Sequence, residues 1–314
     1  MTKRIFFPLL MFALLAACSR APAPVTAAPT GTATVPLATA TLPLPSSTLP
    51  HSASGSPTST ATATLAPDAW KDLPVVPTGV SQRVKDIYAL GQTLGNNPHA
   101  FSKIGDCDTS TSWFLEDFDQ SPAPYVLGDY TNLQTVIGAF HGSFSRVSAT
   151  AVRGALAASI LSPIWNTSPL CQGSESPLAC EVRLNRPSFV IISLGTNDYT
   201  QPREFEPNMR KILDSLIAQG IVPILSTKAD DLEGDNSINA TIARLAYEYQ
   251  LPLWNFWRAV QLLPNHGLQA DMSHLTFAQN IFNDPVRMQA AWPWRNLTAL
   301  QTLDVVWRGA TGQP

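Results

Sequence analysis

SFVIISLGTND, Ser188 to Asp198, sets a near-continuous apolar run against a Gly-x-Asn-Asp turn. From Phe189 to Ile192 polar and apolar residues do not alternate, so the strand predicted here is buried on both faces, as in a parallel sheet covered by helices on each side. The run ends at Leu194-Gly195, and Thr196, Asn197 and Asp198 follow as polar groups at the strand's carboxyl end. In open α/β sheets that end is where ligands sit.

The flanking sequence repeats the pattern in both directions. EFEPNMRKILDSLIAQG, up to Gly220, spaces Met209, Ile212, Leu213 and Leu216 as a helix does; IVPILST (Ile221 to Thr227) is again strand-like. INATIARLAYEYQ (Ile238 to Gln250) predicts a helix and LPLWNF (Leu251 to Phe256) a last strand. Upstream, SQRVKDIYALGQTLG reads as a helix capped at Ser81 and stopped at Gly95, AFSKIGD as a first strand, and SFSRVSATAV (Ser143 to Val152) as a second, followed by Gly154 and the helix-prone ALAASIL. Alternating strands and helices with short connections predict a three-layer α/β/α domain on a mostly parallel, doubly wound sheet, spanning residues 68–314.

The beginning of the chain has a different character. MTKRIFFPLLMFALLAAC places Lys3 and Arg4 before a short apolar run and small residues, the layout of a secretory signal. Leu15-Ala16-Ala17-Cys18 resembles a bacterial lipobox, which implies lipidation at Cys18 after removal of residues 1–18 and attachment to a membrane facing out of the cytoplasm. Residues 19–67 are almost wholly Ala, Pro, Thr and Ser, too poor in apolar bulk to fold, and read as a disordered spacer. A net charge of −3 without a basic run gives no support for nucleic acid as a partner. In an oxidising exterior, Cys171 and Cys180, close together in CQGSESPLAC, are the natural disulfide pair, which leaves Cys107 as an odd thiol.

Polar groups with chemical potential cluster at the predicted strand ends. Gly105-Asp106-Cys107 follows the first strand, Gly154 the second, Gly195-Thr196-Asn197-Asp198 the third, and Asp271-Met272-Ser273-His274 comes after the last. These four blocks, in this order, resemble those of the SGNH (GDSL-type) hydrolases across essentially the whole domain. The resemblance implies His274 as general base, Asp271 as the acid that orients it, and an oxyanion hole from Asn197 with the backbone N–H groups of Gly154 and Cys107. Asp106, Gly195 and Asp198 support the site; Gly154 is preferred to Gly142 as the second-block glycine because it lies between strand and helix.

The departure is Cys107, where the family pattern has serine. A thiol beside a histidine is a capable nucleophile, but Asp106 and Asp108 flank it and oppose a thiolate. The hydroxyls of Thr109, Ser110 and Ser112 lie near in sequence and should point elsewhere. Trp113, Trp254 and Trp257 are read as packing residues with a sugar-binding face as the alternative, and His266 as a loop residue. No metal-ligand spacing and no cofactor motif stand out. The expected activity is hydrolysis of a small-molecule ester or an acylated glycan through Cys107, His274 and Asp271; the alternative is a silent domain of the same fold that binds a glycan or envelope ligand.

Overall fold

The computed structural model describes residues 65–313. The expected leader, Cys18 and nearly all of the 19–67 spacer lie outside the described residues. Four parallel strands, β1 (Asn97–Gly105), β2 (Pro187–Ser193), β3 (Val222–Ser226) and β4 (Leu253–Trp254), stand in the order β1-β2-β3-β4. The described helices are α1 (Gln82–Thr93), α2 (Cys107–Ser110), α3 (Gln134–Ala139), α4 (Ala157–Ile160), α5 (Pro177–Asn185), α6 (Pro202–Ala218), α7 (Ser237–Glu248), α8 (Phe256–Val260) and α9 (Ala291–Thr311). One group, α1, α3, α8 and α9, packs together, with α1 and α9 against the strands; the other, α4 to α7, covers β1 and β3 through α5, α6 and α7. The result is the expected α/β/α architecture.

The apolar runs account for the centre. The last six residues of β1, the first six of β2 and all of β3 are buried, as strands covered on both faces must be. Helix α1 starts where Ser81 Oγ accepts the Val84 N–H and ends before Gly95, whose φ of +79° a side chain would oppose. Helix α9 is 21 residues long and buries Trp292, Leu297, Leu300, Leu303 and Val306.

One expected strand is corrected. Ser143 to Val152 forms no strand, and only a single parallel bridge joins Ala151 to Gly105. On this edge of β1 the ladder is largely replaced by side chains. The Phe101 N–H donates to Ser143 Oγ (3.4 Å), the Lys103 N–H to Ser148 Oγ (3.1 Å), and only the Gly105 N–H reaches a backbone carbonyl, that of Thr150 (3.1 Å). Thr150 Oγ1 in turn donates to the Lys103 carbonyl at 2.7 Å. Hydroxyls that bond to backbone compete with regular pairing, which is why a stretch with strand-like composition runs beside β1 without becoming a strand. Glu181 of α5 fixes the segment by accepting from Arg146 Nη1 (2.6 Å), the Ala149 N–H (2.7 Å) and Ser102 Oγ (2.6 Å). Because this segment lies on the free edge of β1, it supplies the reversal of direction that a doubly wound sheet requires.

Candidate active site

β1 delivers the chain into a turn that only glycine permits. A Cβ on Gly105 would lie on top of Thr109 Oγ1 and 2.6 Å from the Ser193 carbonyl. Asp106 then caps α2, its Oδ1 accepting the Asp108 N–H at 3.2 Å. Cys107 is the first residue of α2, so its own N–H has no carbonyl inside the helix to donate to. Its thiol is partly exposed and is the free cysteine among the described residues, Cys171 and Cys180 being joined in a disulfide.

The base comes from the loop between α8 and α9. Asp271 Oδ1 accepts the N–H groups of Ser273 and His274, each at 3.0 Å, and Met272 between them takes a φ of +58°. This tight turn brings the other carboxylate oxygen to 2.7 Å from His274 Nδ1. With Nδ1 committed to Asp271 as a donor, Nε2 presents its lone pair, and it lies 3.9 Å from Cys107 Sγ. Cys107, His274 and Asp271 are thus brought into one line.

The end of β2 is held as tightly. Gly195 adopts a φ of +125°, and a Cβ there would approach Ile238 Cγ2 to 2.7 Å. Asp198 is buried and receives the Ala157 N–H at the start of α4 (3.0 Å), which ties the third block to the segment after Gly154. Gly154 has a φ of +74° and open space where a side chain would go. Asn197 is adjacent to the site, but its Nδ2 donates to the Ala155 carbonyl (3.2 Å) and to Asp106 Oδ2 (3.4 Å). Its amide therefore faces the supporting carboxylate in this state, and neither Asn197 nor Gly154 lines the cleft at the thiol.

Beneath the thiol lies a group that sequence reasoning missed. Arg295 of α9 is 4% exposed and sits against the rings of Phe114 (4.5 Å), Phe256 (5.2 Å), Trp254 (5.4 Å) and Trp292 (5.8 Å). It lines a cavity of about 20 Å³ with Asp106, Asp108, Ser193 and Asp230, and its Nε–H and the Ser193 hydroxyl have no hydrogen-bond partner. Burial pushes the Asp106 carboxyl up to about 7, helped by Asp108 and resisted by Arg295. Asp108 is also raised by burial, with Arg295 and His274 pulling the other way. The thiol feels the same surroundings: burial, then Asp106 and Asp108, push Cys107 up to about 11. His274 is raised by its bond to Asp271, whose carboxylate is held down to about 2 by the same turn. At neutral pH the thiol is therefore protonated, and no thiolate–imidazolium pair forms.

These buried carboxyls give stability an unusual pH dependence. Asp198 is raised to about 6, chiefly by burial, and Asp106 to about 7, against an ordinary value of 3.8. Over that window the fold keeps protons that the unfolded chain has lost, so stability falls as pH rises from about 4 to 7. The melting temperature is expected to be higher at pH 5 than at pH 7.5, and Asp198→Asn, which keeps an acceptor for the Ala157 N–H, should flatten the slope by on the order of 2 kcal/mol. Thermal melts across this range decide it; a midpoint that climbs with pH would contradict the assignment.

Cys107 and His274 open onto a cleft of about 410 Å³, whose wall includes Trp113, Arg153, Gln269 and Thr111. Trp113 is 48% exposed and packs on Phe277 (4.7 Å) and Trp292 (5.9 Å), so of the three tryptophans considered it is the one on the cleft; Trp254 is buried in the core and Trp257 packs on Trp70. The neighbouring hydroxyls are engaged elsewhere: Thr109 is buried beside Arg295 and Ser110 Oγ donates to the Cys107 carbonyl. His266 bonds through Nδ1 to the Gln261 carbonyl in its own loop. Among the described residues, the close grouping of metal-binding types, Cys171, Glu175 and Cys180, has both sulfurs tied in the disulfide. A larger groove of about 620 Å³, between residues 73–81 and the end of α7, is lined by none of the site residues.

No family model matches the chain, and no curated protein matches it. Among solved structures, the crystal structure of TesA aligns at 19% identity and a TM-score of 0.41, over 66% of this chain and 99% of that one. A GDSL-like lipase from Bacteroides thetaiotaomicron aligns at 14% identity and a TM-score of 0.40, over 71% of this chain and 96% of that one. The class defined here by fold and geometry is an α/β/α domain carrying a Cys-His-Asp line at the carboxyl ends of its strands.

Proposed function

We propose that the chain is an ester hydrolase of the SGNH type, exported and tethered through Cys18, that acts on a small-molecule ester or an acylated glycan with Cys107 as nucleophile. The observation that carries this reading is the alignment of Cys107 Sγ, His274 and Asp271 at 3.9 and 2.7 Å. The thiol attacks the ester carbonyl as His274 Nε2 takes its proton, forming a C–S bond. The resulting oxyanion is met by the Cys107 N–H and by the Asn197 amide once it turns from Asp106. Collapse expels the alcohol, which receives the proton from His274, and a water deprotonated by the same imidazole hydrolyses the thioester. Asp271 holds the ring in its tautomer and stabilises the imidazolium.

The test is turnover of short-chain p-nitrophenyl and acetyl-sugar esters by the full chain. Cys107→Ala is expected to lower kcat/KM by about 10³-fold; hydrolysis that survives this change would remove the mechanism. A second reading, a silent domain that holds a glycan, rests on the thiol being pushed up to about 11. Cys107→Ser separates the two: esterase activity that emerges only with serine would mean a complete site that lacks a working nucleophile.

A further inference from the structure

The wall of the cleft carries a cation that the chemistry above does not use. Arg153 is exposed, precedes Gly154 and lines the same cleft as Cys107, His274 and Trp113. No hydrogen bond or ion pair holds it among the described residues, whereas Arg146, Arg183, Arg210, Arg244 and Arg287 each pair with a carboxylate. The lining residues around it include one acid, Asp108, whose charge already meets Arg295 and His274. The same cleft has an apolar face: Trp113, about half exposed, is backed by Phe277 and Trp292. A planar guanidinium without a partner, in a cleft that also presents an aromatic face, suits a ligand with a flat or ring-shaped apolar surface and an adjacent carboxylate.

Resting on the hydrolase reading, we propose that the substrate is an ester of a carboxylate-bearing molecule, with Arg153 binding that carboxylate and Trp113 covering the adjoining face. Arg153 then sets specificity: it draws the anion to the cleft by a charge-assisted, bidentate contact, while the reacting atoms remain with Cys107 and His274. The carboxylate belongs to either the acyl or the alcohol half of the ester, and two probe pairs separate these sources. For the acyl half the pair is the p-nitrophenyl monoester of succinate and p-nitrophenyl pentanoate; for the alcohol half it is O-acetylglucuronate and O-acetylglucose.

The experiment measures kcat/KM for both pairs with the full chain and with Arg153→Gln and Arg153→Lys, and the affinity of the same compounds for Cys107→Ala by calorimetry. In at least one pair the carboxylated member is expected to be favoured by about 10-fold or more, a ratio that falls to near one in Arg153→Gln and is partly kept in Arg153→Lys. Ratios that Arg153→Gln leaves unchanged in both pairs overturn the proposal even if esters are hydrolysed. Because affinity is read without turnover, absence of hydrolysis would defeat the hydrolase reading alone, and the binding ratios would still decide the role of Arg153.

Discussion

Replacing His274 by alanine is expected to lower kcat/KM on the best ester by about 10³-fold, because the neutral thiol then has no base within reach. The pH profile of the unaltered chain carries the finer test. His274 is raised above its ordinary 6.5 by Asp271, and it accepts a proton only when neutral. Activity should therefore rise with pH through an inflection above 6.5. With Cys107 held up to about 11, no limb from thiolate formation enters below about pH 10. Asp271→Asn removes the group that raises the imidazole, so the inflection should move down toward 6.5 while kcat falls by about 10²-fold from loss of the tautomer and of the charge that steadies the imidazolium. An inflection that stays in place in Asp271→Asn would falsify the coupling of the two groups.

Arg295→Met is expected to cost about 3–5 kcal/mol of stability at pH 7.5, the scale for removing one partner from a buried charged cluster. The methionine fills part of the space among Phe114, Trp254, Phe256 and Trp292, so the loss comes mainly from Asp106 and Asp108, which lose their buried cation. This cause predicts a pH signature. Both carboxyls take up protons readily once the cation is gone, so the penalty should shrink at pH 5; an equal penalty at pH 5 and 8 would leave packing as the whole explanation. Arg295→Lys, which keeps the charge but not the planar contact with the rings, should cost less at pH 7.5 and gives a folded comparison should the methionine variant be too unstable to measure.

What was legible in the sequence followed from period and punctuation. Phe189 to Ile192 read as a strand buried on both faces, Ile221 to Thr227 as a further strand, and Ser81 with Gly95 bracketed α1, because each signal is local. The Asp271-x-x-His274 spacing was legible for the same reason: one turn suffices to join them. Ser143 to Val152 misled because its strand-like residues are also those whose hydroxyls replace a ladder, and which use they serve depends on Glu181 and β1, distant in sequence. Arg295 left no trace, since a single arginine in a tryptophan-rich helix looks like a solvent-facing residue; its burial depends on four rings from three other parts of the chain and its own helix. The turn of Asn197 toward Asp106 is likewise a matter of side-chain orientation that no spacing encodes.

The edge of β1 has a consequence for how these molecules meet one another. A sheet normally ends in a row of unpaired amides on which a strand from a second molecule can add, the first step of edge-on aggregation. Here the outward N–H groups of Phe101, Lys103 and Gly105 are already taken by two serine hydroxyls and the Thr150 carbonyl. At the opposite end β4 is two residues long, and the Asn255 N–H just beyond it is bonded to the Val75 carbonyl. Neither border of the sheet therefore offers a template for intermolecular strand pairing, and the folded domain should stay dispersed at concentrations where a sheet with bare borders would begin to form fibrils.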